Sequence, residues 1–476
     1  MFSSISKKFW APVLAAAFCL GSARAQQQTP PPPPTSPAQP ATPVPPITNP
    51  QNKPPDSVEE PVSPVQGSST VVTGGIAPAV GEISEDRNAI HFGIGIQEAF
   101  DSSLPGVANS TGWNYVSNVG GYFDLHRLGR GSDLTFRYVG GGLLDAQVSG
   151  LNSFYQQFEA GESLLFRRWS LHLDDLISYL PNSSFGFQGY GVTQSDLGNV
   201  TLLNPNVAPS QSILTTQANR LSNIFLAQAE IEASQRTTFT FTGSYGVLHF
   251  MTPGYLNPTN YNFSFGYNYA LSQRDTLGVS YQFNAYRFQP ANAVINDSTV
   301  LVTYGHHITN RLAFQAGAGP ELDSFTPAGS PAGTSRTLIG ANAGLFYNYN
   351  RTSLSASFNR GVTGGAGILL GSNSDTAQVS ASRILSRQTT LSGSFGYSFN
   401  ASLPLASPTA VSFQSIYAGG RFDRRIGRST DIFVNYYYYH QLANGFVCSG
   451  PACAGNLSQH QIWIGFSFDF RPVPLY

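Results

Sequence analysis

The chain has 476 residues, and only 11% of them are charged, compared with about 25% in an average soluble domain. The formal net charge is −1, aromatic residues reach 13%, and the only lysines are Lys7, Lys8 and Lys53. This composition argues against a surface kept hydrated by Lys and Glu, and the lack of a basic stripe argues against nucleic-acid binding.

The first 25 residues have the pattern of a secretory signal peptide. Lys7 and Lys8 precede a short apolar run over residues 9–20, and Ala23-Arg24-Ala25 supplies small residues at a cleavage site. We therefore expect export through the Sec pathway and cleavage after Ala25. No stretch of the sequence reaches the roughly 18–20 apolar residues that a membrane helix requires.

Residues 26–88 form a second, compositionally distinct segment. The part up to residue 65 consists mostly of Pro, Gln, Thr and Ser. Such a segment cannot bury an apolar core and is expected to be an extended, partly polyproline tether. We interpret residues 26–88 as a disordered Pro-rich periplasmic segment.

From Ala89 onward, large apolar residues alternate with small or polar ones. The pattern is clear at residues 90–97, 261–268, 353–359 and 462–470. Because side chains alternate across a strand, each segment has one apolar face and one more polar face. The alternation predicts an all-β domain over residues 89–476.

Arginine-bearing turns divide this region into hairpins. Successive turns lie 36 to 40 residues apart, except for one gap of 69 between Arg167 and Arg236. This period accommodates two strands of about a dozen residues and one longer loop. The turns are represented by Arg127, Arg168, Arg236, Arg274, Arg311, Arg351, Arg387 and Arg425.

Alternating short turns and longer loops are typical of a transmembrane up-and-down β-barrel, with the turns in the periplasm. Prolines are expected in or beside the longer loops, because proline cannot donate to a strand ladder. Eight turns join sixteen strands, and one strand at each end gives eighteen; sixteen is the alternative count. The predicted strands start near residues 89, 113, 132, 153, 168, 221, 237, 259, 275, 298, 311, 337, 352, 374, 389, 411, 430 and 459.

The final strand resembles the C-terminal signature of Gram-negative outer-membrane proteins, because Phe466, Phe468 and Phe470 alternate with small or polar residues. The chain departs from that signature by continuing for six residues beyond Phe470. The region 89–476 is similar to porin-like barrels, particularly barrels of soil bacteria associated with exopolysaccharide export. The resemblance implies outer-membrane localisation and recognition by the outer-membrane barrel assembly machinery.

If the apolar register faces lipid, the other register lines the interior. That register carries many hydroxyl and amide groups and few charges, of both signs. Such groups hydrogen-bond water and uncharged polar solutes, although any wide barrel also needs a polar interior. The candidate lumen-lining residues are Ser280, Gln282, Asn284, Ser355, Ser357, Asn359, Gln378, Ser380, Arg137, Asp174, Arg421 and Asp469.

Two of the loops carry specific expectations. The longest, residues 181–220, has almost no charge, and it is either a neutral constriction of the pore or an external flap. Cys448 and Cys453 are the only cysteines of the mature chain, and four residues separate them. In an exported protein this spacing predicts a small-loop disulfide rather than a metal site.

The leading hypothesis is a porin-like outer-membrane channel for the passive passage or export of small polar solutes, uncharged or saccharide. The alternative is an envelope-organising barrel whose Pro-rich arm binds a periplasmic partner. We find no nucleophile motif beside the histidines, and we predict no catalytic residue, cofactor or metal site. The expected partners are outer-membrane lipid, the assembly machinery and a small polar solute.

Overall fold

The computed structural model of the protein describes residues 88–102, 113–145, 153–181, 212–214, 218–328, 333–403, 410–445 and 455–475. The predicted signal peptide, nearly all of the Pro-rich segment, and Cys448 and Cys453 lie outside the described residues. The predictions for these parts of the chain therefore stay predictions.

Eighteen long strands make up nearly all of the described chain. They are β1 Ala89–Asp101, β2 Asn114–Leu128, β3 Ser132–Asp145, β4 Ser153–Leu165, β5 Trp169–Leu180, β6 Arg220–Ser234, β7 Thr237–Phe250, β8 Asn257–Ala270, β9 Asp275–Gln289, β10 Ala293–Thr309, β11 Leu312–Thr326, β12 Thr334–Tyr349, β13 Thr352–Thr363, β14 Ser372–Ser386, β15 Thr389–Ser402, β16 Ser412–Ile426, β17 Thr430–Asn444 and β18 Leu457–Asp469. A single 3-10 turn, Gly365–Gly367, lies between β13 and β14. Within the described ranges, no helix has the length and apolarity needed to cross a membrane.

The sheet closes on itself as an antiparallel up-and-down barrel. Each strand pairs with the next along the chain, and β18 pairs with β1 from Gly93↔Asp469 to Asp101↔Gln461. A two-residue strand, β19 (Val473–Pro474), continues the pairing along β1. Val473 and Pro474, beyond Phe470, therefore extend the seam at which the barrel closes.

The two faces of the wall differ in the way the alternation predicts. Large apolar side chains such as Val302, Leu322 and Ile339 are exposed, whereas the intervening Thr303, Asp323 and Asn342 are buried. In a closed barrel the exposed apolar register faces outward. A strand needs roughly 9–11 residues to cross the hydrocarbon layer of a membrane, and these strands are longer. The predicted eighteen-stranded antiparallel up-and-down barrel is confirmed.

Most predicted strand starts lie within a few residues of the observed ones, and the largest difference is at β10. That strand begins at Ala293 rather than near residue 298, because only residues 290–292 separate it from β9. The expectation of a longer loop between every pair of hairpins is wrong there. The expectation that prolines avoid strands is wrong at Pro320, which lies inside β11. The β10–β11 ladder has no registered pairs between Thr299↔Glu321 and Val302↔Ala318, where Pro320 lacks the N–H that a ladder requires.

Candidate functional site

The inner face of the wall carries polar residues at directly paired positions on six neighbouring strands. Asn262 donates to Asn284 at 2.6 Å, and Asn284 donates to Asp297 at 2.8 Å. These contacts link β8, β9 and β10 through side chains in addition to the backbone ladder. The paired row runs through Ser244, Asn262, Asn284, Asp297, Asp323 and Arg336.

The uncharged residues proposed to line the lumen all lie on the inward register. Ser280, Gln282 and Asn284 are buried on β9, as are Ser357 and Asn359 on β13. Ser355 and Ser380 share a hydrogen bond of 2.6 Å between β13 and β14, and the half-buried Gln378 is paired with Ser357. These positions form a continuous hydroxyl- and amide-bearing wall.

For three of the four charged residues proposed for the lumen, the partner side chain and its distance are defined. Arg137 lies 3.7 Å from Asp124, and Arg421 binds Asp423 with a closest N–O distance of 2.6 Å. Asp469 accepts a hydrogen bond of 2.7 Å from Tyr122. Asp174 is half-buried on β5 beside Gly161. The paired arginines and aspartates leave little net charge on these parts of the wall.

Aromatic side chains fill another part of the interior. Tyr417, Tyr437, Tyr439 and Trp463, on β16, β17 and β18, form one buried cluster together with Tyr155 on β4. Their outward neighbours are exposed, as with Tyr436 and Ile464. Rings that occupy the inward register reduce the open cross-section of the barrel.

A short described part of the longest loop, residues 212–214, is bound to the inner wall far from the strands that the loop connects. The loop joins β5 to β6, whereas Ser212 donates to Asn400 on β15 at 2.9 Å and Ser398 donates to the Ser212 carbonyl at 2.8 Å. The amide of Gln441 on β17 both accepts from Leu214 N and donates to Leu214 O, at 2.8 Å each. The segment is therefore held against β15 and β17, which lie far along the chain from β5 and β6.

Apolar contacts support these hydrogen bonds. Ile213 is fully buried and packs with Phe413, Ala366 and Leu369. Leu214 packs into the interior aromatic cluster that contains Tyr417 and Tyr437. Burial of a Leu or Ile side chain contributes roughly 1.5–3 kcal/mol, so these two residues are strong anchors for the segment.

All eight turn arginines are exposed at the same end of the barrel, where each even-numbered strand meets the next. Arg311 lies over the ring of Tyr349, 3.6 Å from its centroid, and Arg425 contacts Asp431 at 3.1 Å. The turn at β9 also holds Asp275, which accepts hydrogen bonds from Ser272 and Tyr304 and contacts His306. These contacts lower the pKa of Asp275 to about 2, and the hydrogen bond from Ser272 makes the largest contribution.

The C-terminal phenylalanines lie on the outward face beside the closing seam. Phe466, Phe468 and Phe470 are exposed, and Phe470 stacks on Phe92 at 4.9 Å between ring centroids. Recognition of this strand by the assembly machinery remains a prediction.

One inward group of residues could not be identified from the sequence. Asp297, Glu321 and Asp323 are buried together on β10 and β11, and Arg336 on β12 reaches Asp323 at 3.0 Å. In the sequence these residues are single polar positions on strands that already alternate, so only the register between strands brings them together.

Comparisons with known proteins identify structural neighbours only. No protein-family model matches the chain, and no curated protein matches it. Among solved structures, Pseudomonas aeruginosa OccK5 (OpdH) has a TM-score of 0.40 and 10% identity, covering 81% of this chain and 99% of that chain. Pseudomonas aeruginosa OccK2 (OpdF) in complex with glucuronate has a TM-score of 0.41 and 8% identity, covering 81% and 100%. Acinetobacter baumannii OccAB3 has a TM-score of 0.39 and 7% identity, covering 80% and 99%.

Proposed function

We propose that the protein is a passive outer-membrane channel for small polar solutes without net charge, saccharides included. The observation that carries the proposal is the inward register of the closed wall. It presents hydroxyl and amide groups over β7–β9 and β13–β14, while arginines such as Arg137 and Arg421 are paired with aspartates. Such a surface solvates a polar solute without selecting strongly for ionic charge.

The segment 212–214 gives this channel a narrowing element. It adds Leu214 to the interior beside Tyr417 and Tyr437, and Ile213 beside Phe413. Tyr417 and Tyr437 are themselves buried, so the segment and these rings together fill part of the interior. We infer that this part of the lumen sets the upper size of the solutes that pass.

The test is to reconstitute the purified protein in planar bilayers and in liposomes. We expect single-channel conductance in bilayers. In liposome swelling with mono-, di- and trisaccharides, we expect rates that fall with size. Charged sugars of matched size should gain no advantage over neutral ones, because arginines such as Arg137 and Arg421 are paired with aspartates.

A barrel that inserts but stays electrically silent and excludes monosaccharides would overturn the channel proposal. That result would favour the envelope-organising alternative, which predicts partner binding by residues 26–88. Deleting residues 26–66 gives the matched comparison, because the channel proposal expects unchanged conductance while the alternative expects loss of a captured periplasmic partner.

A further inference from the structure

Three carboxylates meet on the inner face of the wall at the interruption of the β10–β11 ladder. Asp297 on β10 and Glu321 and Asp323 on β11 are almost fully buried, with at most 2% of each residue exposed. One oxygen from each of the three lies within 4.8 Å of the others. Carboxylates at such separations repel one another unless a proton or a cation lies between them.

The charges near this group do not balance. Arg336 is the guanidinium that contacts it, through Nε to Oδ2 of Asp323 at 3.0 Å. Three carboxylates and one guanidinium leave two negative charges. Burying unpaired charge is costly, so a buried site with this excess favours a bound divalent cation.

Apart from the charge balance, two of these carboxylates each have an oxygen that is available to bind a ligand. Glu321 Oε2 and Asp323 Oδ1 are buried and receive no hydrogen bond from an N–H or hydroxyl donor among the described residues. The other oxygens are engaged: Val362 N donates to Glu321 Oε1 at 2.7 Å, and Asn284 donates to Asp297 Oδ2. Buried polar atoms are nearly always satisfied, so the two free oxygens point to a ligand that the protein does not itself supply.

The surrounding backbone leaves space for these side chains. A Cβ at Gly340 would lie 3.6 Å from Glu321 Oε2, and one at Gly361 would lie 3.2 Å from Oε1. Gly361 therefore gives the Glu321 side chain room to extend across β12 to Val362 on β13. Thr299, which hydrogen-bonds Asp297 at 3.3 Å, adds a neutral oxygen at the same place.

We propose that Asp297, Glu321 and Asp323 bind a Ca²⁺ ion on the inner wall. All the donors are oxygens, which is the ligand set of hard divalent cations, and Ca²⁺ accepts irregular carboxylate arrangements more readily than Mg²⁺. The ion joins β10 to β11 where Pro320 interrupts their backbone pairing. Arg336 holds Asp323 in position and neutralises part of its charge.

The binding test uses the full-length mature barrel in detergent micelles, freed of metal with a chelator. Isothermal titration calorimetry with CaCl₂ should show one site per barrel, and Tb³⁺ should compete with Ca²⁺. Excitation of Tyr286 should sensitise Tb³⁺ emission, because its hydroxyl donates to the carbonyl of Val362 at 3.2 Å, on the residue whose N–H contacts Glu321. In Y286F the emission should fall while the calorimetric titration is retained.

The substitutions D297N and D323N together should weaken Ca²⁺ binding by more than about tenfold, since even indirect partners of metal sites are worth 10–100-fold. R336Q should strengthen binding because it removes the competing positive charge. D423N is the matched control, an inward aspartate bound by an arginine on β16, and it should titrate like the wild type.

Absence of calorimetric Ca²⁺ uptake in the folded wild-type barrel would overturn the proposal and would indicate that the carboxyl groups share protons instead. Equal affinity in the wild type and in D297N/D323N would also overturn it. A difference in SDS-gel migration between unheated and heated samples identifies folded protein, and R336Q supplies a second test if the double variant does not fold. The titration does not depend on conductance, so its outcome is separate from that of the channel proposal.

Discussion

The hydroxyl of Tyr122 on β2 donates a hydrogen bond to Asp469 on β18, 2.7 Å away, across the intervening strand β1. β1 pairs through its backbone with β18 on one side and with β2 on the other. The Tyr122–Asp469 contact adds a direct side-chain link between β2 and β18. Gly93 makes this crossing feasible, because a Cβ there would lie 2.4 Å from Tyr122 Cε1. The contact strengthens the ladder that closes the barrel.

Removing the hydroxyl of Tyr122 should weaken the seam. We expect Y122F to lower the free energy of unfolding by about 1.5–3 kcal/mol, the range for a hydrogen bond to a charged group. Equilibrium urea unfolding in lipid vesicles, followed by tryptophan fluorescence, measures the change. Y115F serves as the control, because Tyr115 lies exposed on the outward face of the same strand. Equal effects of the two substitutions would contradict a special role for the Tyr122–Asp469 contact.

A methyl group at position 93 should displace the same ring. We expect G93A to destabilise the barrel by about 1–3 kcal/mol, the cost of overpacking a filled site. G95A is a close control, because Gly95 lies on the same register of β1 and the nearest atom to its Cβ would be 3.5 Å away. The same unfolding assay should show G95A close to the wild type. Comparable losses for both variants would mean that strand propensity, and not the Tyr122 ring, sets the effect.

The outward face contains polar pairs that the alternation does not predict, such as Arg360–Asp375 and a pair on β5 and β6. Asp175, near the middle of β5, accepts a hydrogen bond of 2.7 Å from Asn223 on β6, and both lie on the register that faces lipid. N223L should destabilise the barrel by about 1–3 kcal/mol, because it leaves a carboxylate without its donor. The double variant D175L/N223L should be at least as stable as the wild type, since apolar replacement of a whole buried polar pair is often neutral or favourable.

A double-mutant cycle in lipid vesicles measures the coupling between these two residues. The variant D175N tests charge separately, because it keeps a hydrogen-bonding group but removes the negative charge. If N223L and D175L/N223L lose the same stability, Asp175 does not need the hydrogen bond from Asn223, and the interpretation is wrong.

The acid sensitivity of the β8–β9 turn follows from Asp275. Its pKa of about 2 in the folded protein lies below the value of about 3.9 for an unperturbed aspartate. The folded state therefore binds protons less readily than the unfolded chain, and the stabilisation is present above pH 4. It should be lost as the pH falls from about 4 to about 2.

Thermal unfolding of the wild type and of D275N between pH 2 and pH 7 tests this expectation. The wild type should be the more stable of the two near neutrality, and the two curves should converge at the acidic end. S272A should raise the pKa of Asp275, because Ser272 is the largest contributor to the shift. A difference between wild type and D275N that stays constant down to pH 2 would contradict the assignment.

The sequence predicts the barrel well because its main determinant is local. Strands such as β3 and β7 begin at the predicted residues, Ser132 and Thr237, since alternation and turn chemistry are encoded within a few neighbouring positions. The lumen residues on β9 and β13 follow from the same parity. The alternation does not predict Asp175, a polar residue on the lipid-facing register that is hydrogen-bonded to Asn223 on the neighbouring strand β6.

Contacts that depend on register or on long loops are not accessible in this way. Asp297 and Asp323 are brought together by the pairing of β10 with β11, and nothing in either strand alone marks them as a cluster. The docking of residues 212–214 depends on Gln441, which is far away in the chain. The sequence could name this loop as a candidate constriction but could not say which wall it contacts.

Release of this docking should widen the channel. Gln441 makes both hydrogen bonds to Leu214 and also accepts from Ser415 at 2.7 Å. Q441A removes these contacts, and we expect a loss of about 1–3 kcal/mol for the backbone groups left without partners. Because the segment would then leave the wall for part of the time, single-channel conductance should increase and trisaccharides should enter liposomes faster. Q459A is the control, because Gln459 is also a buried inward glutamine on the neighbouring strand but bonds Asp101 instead. Unchanged conductance in Q441A, with folding retained, would show that residues 212–214 do not limit passage.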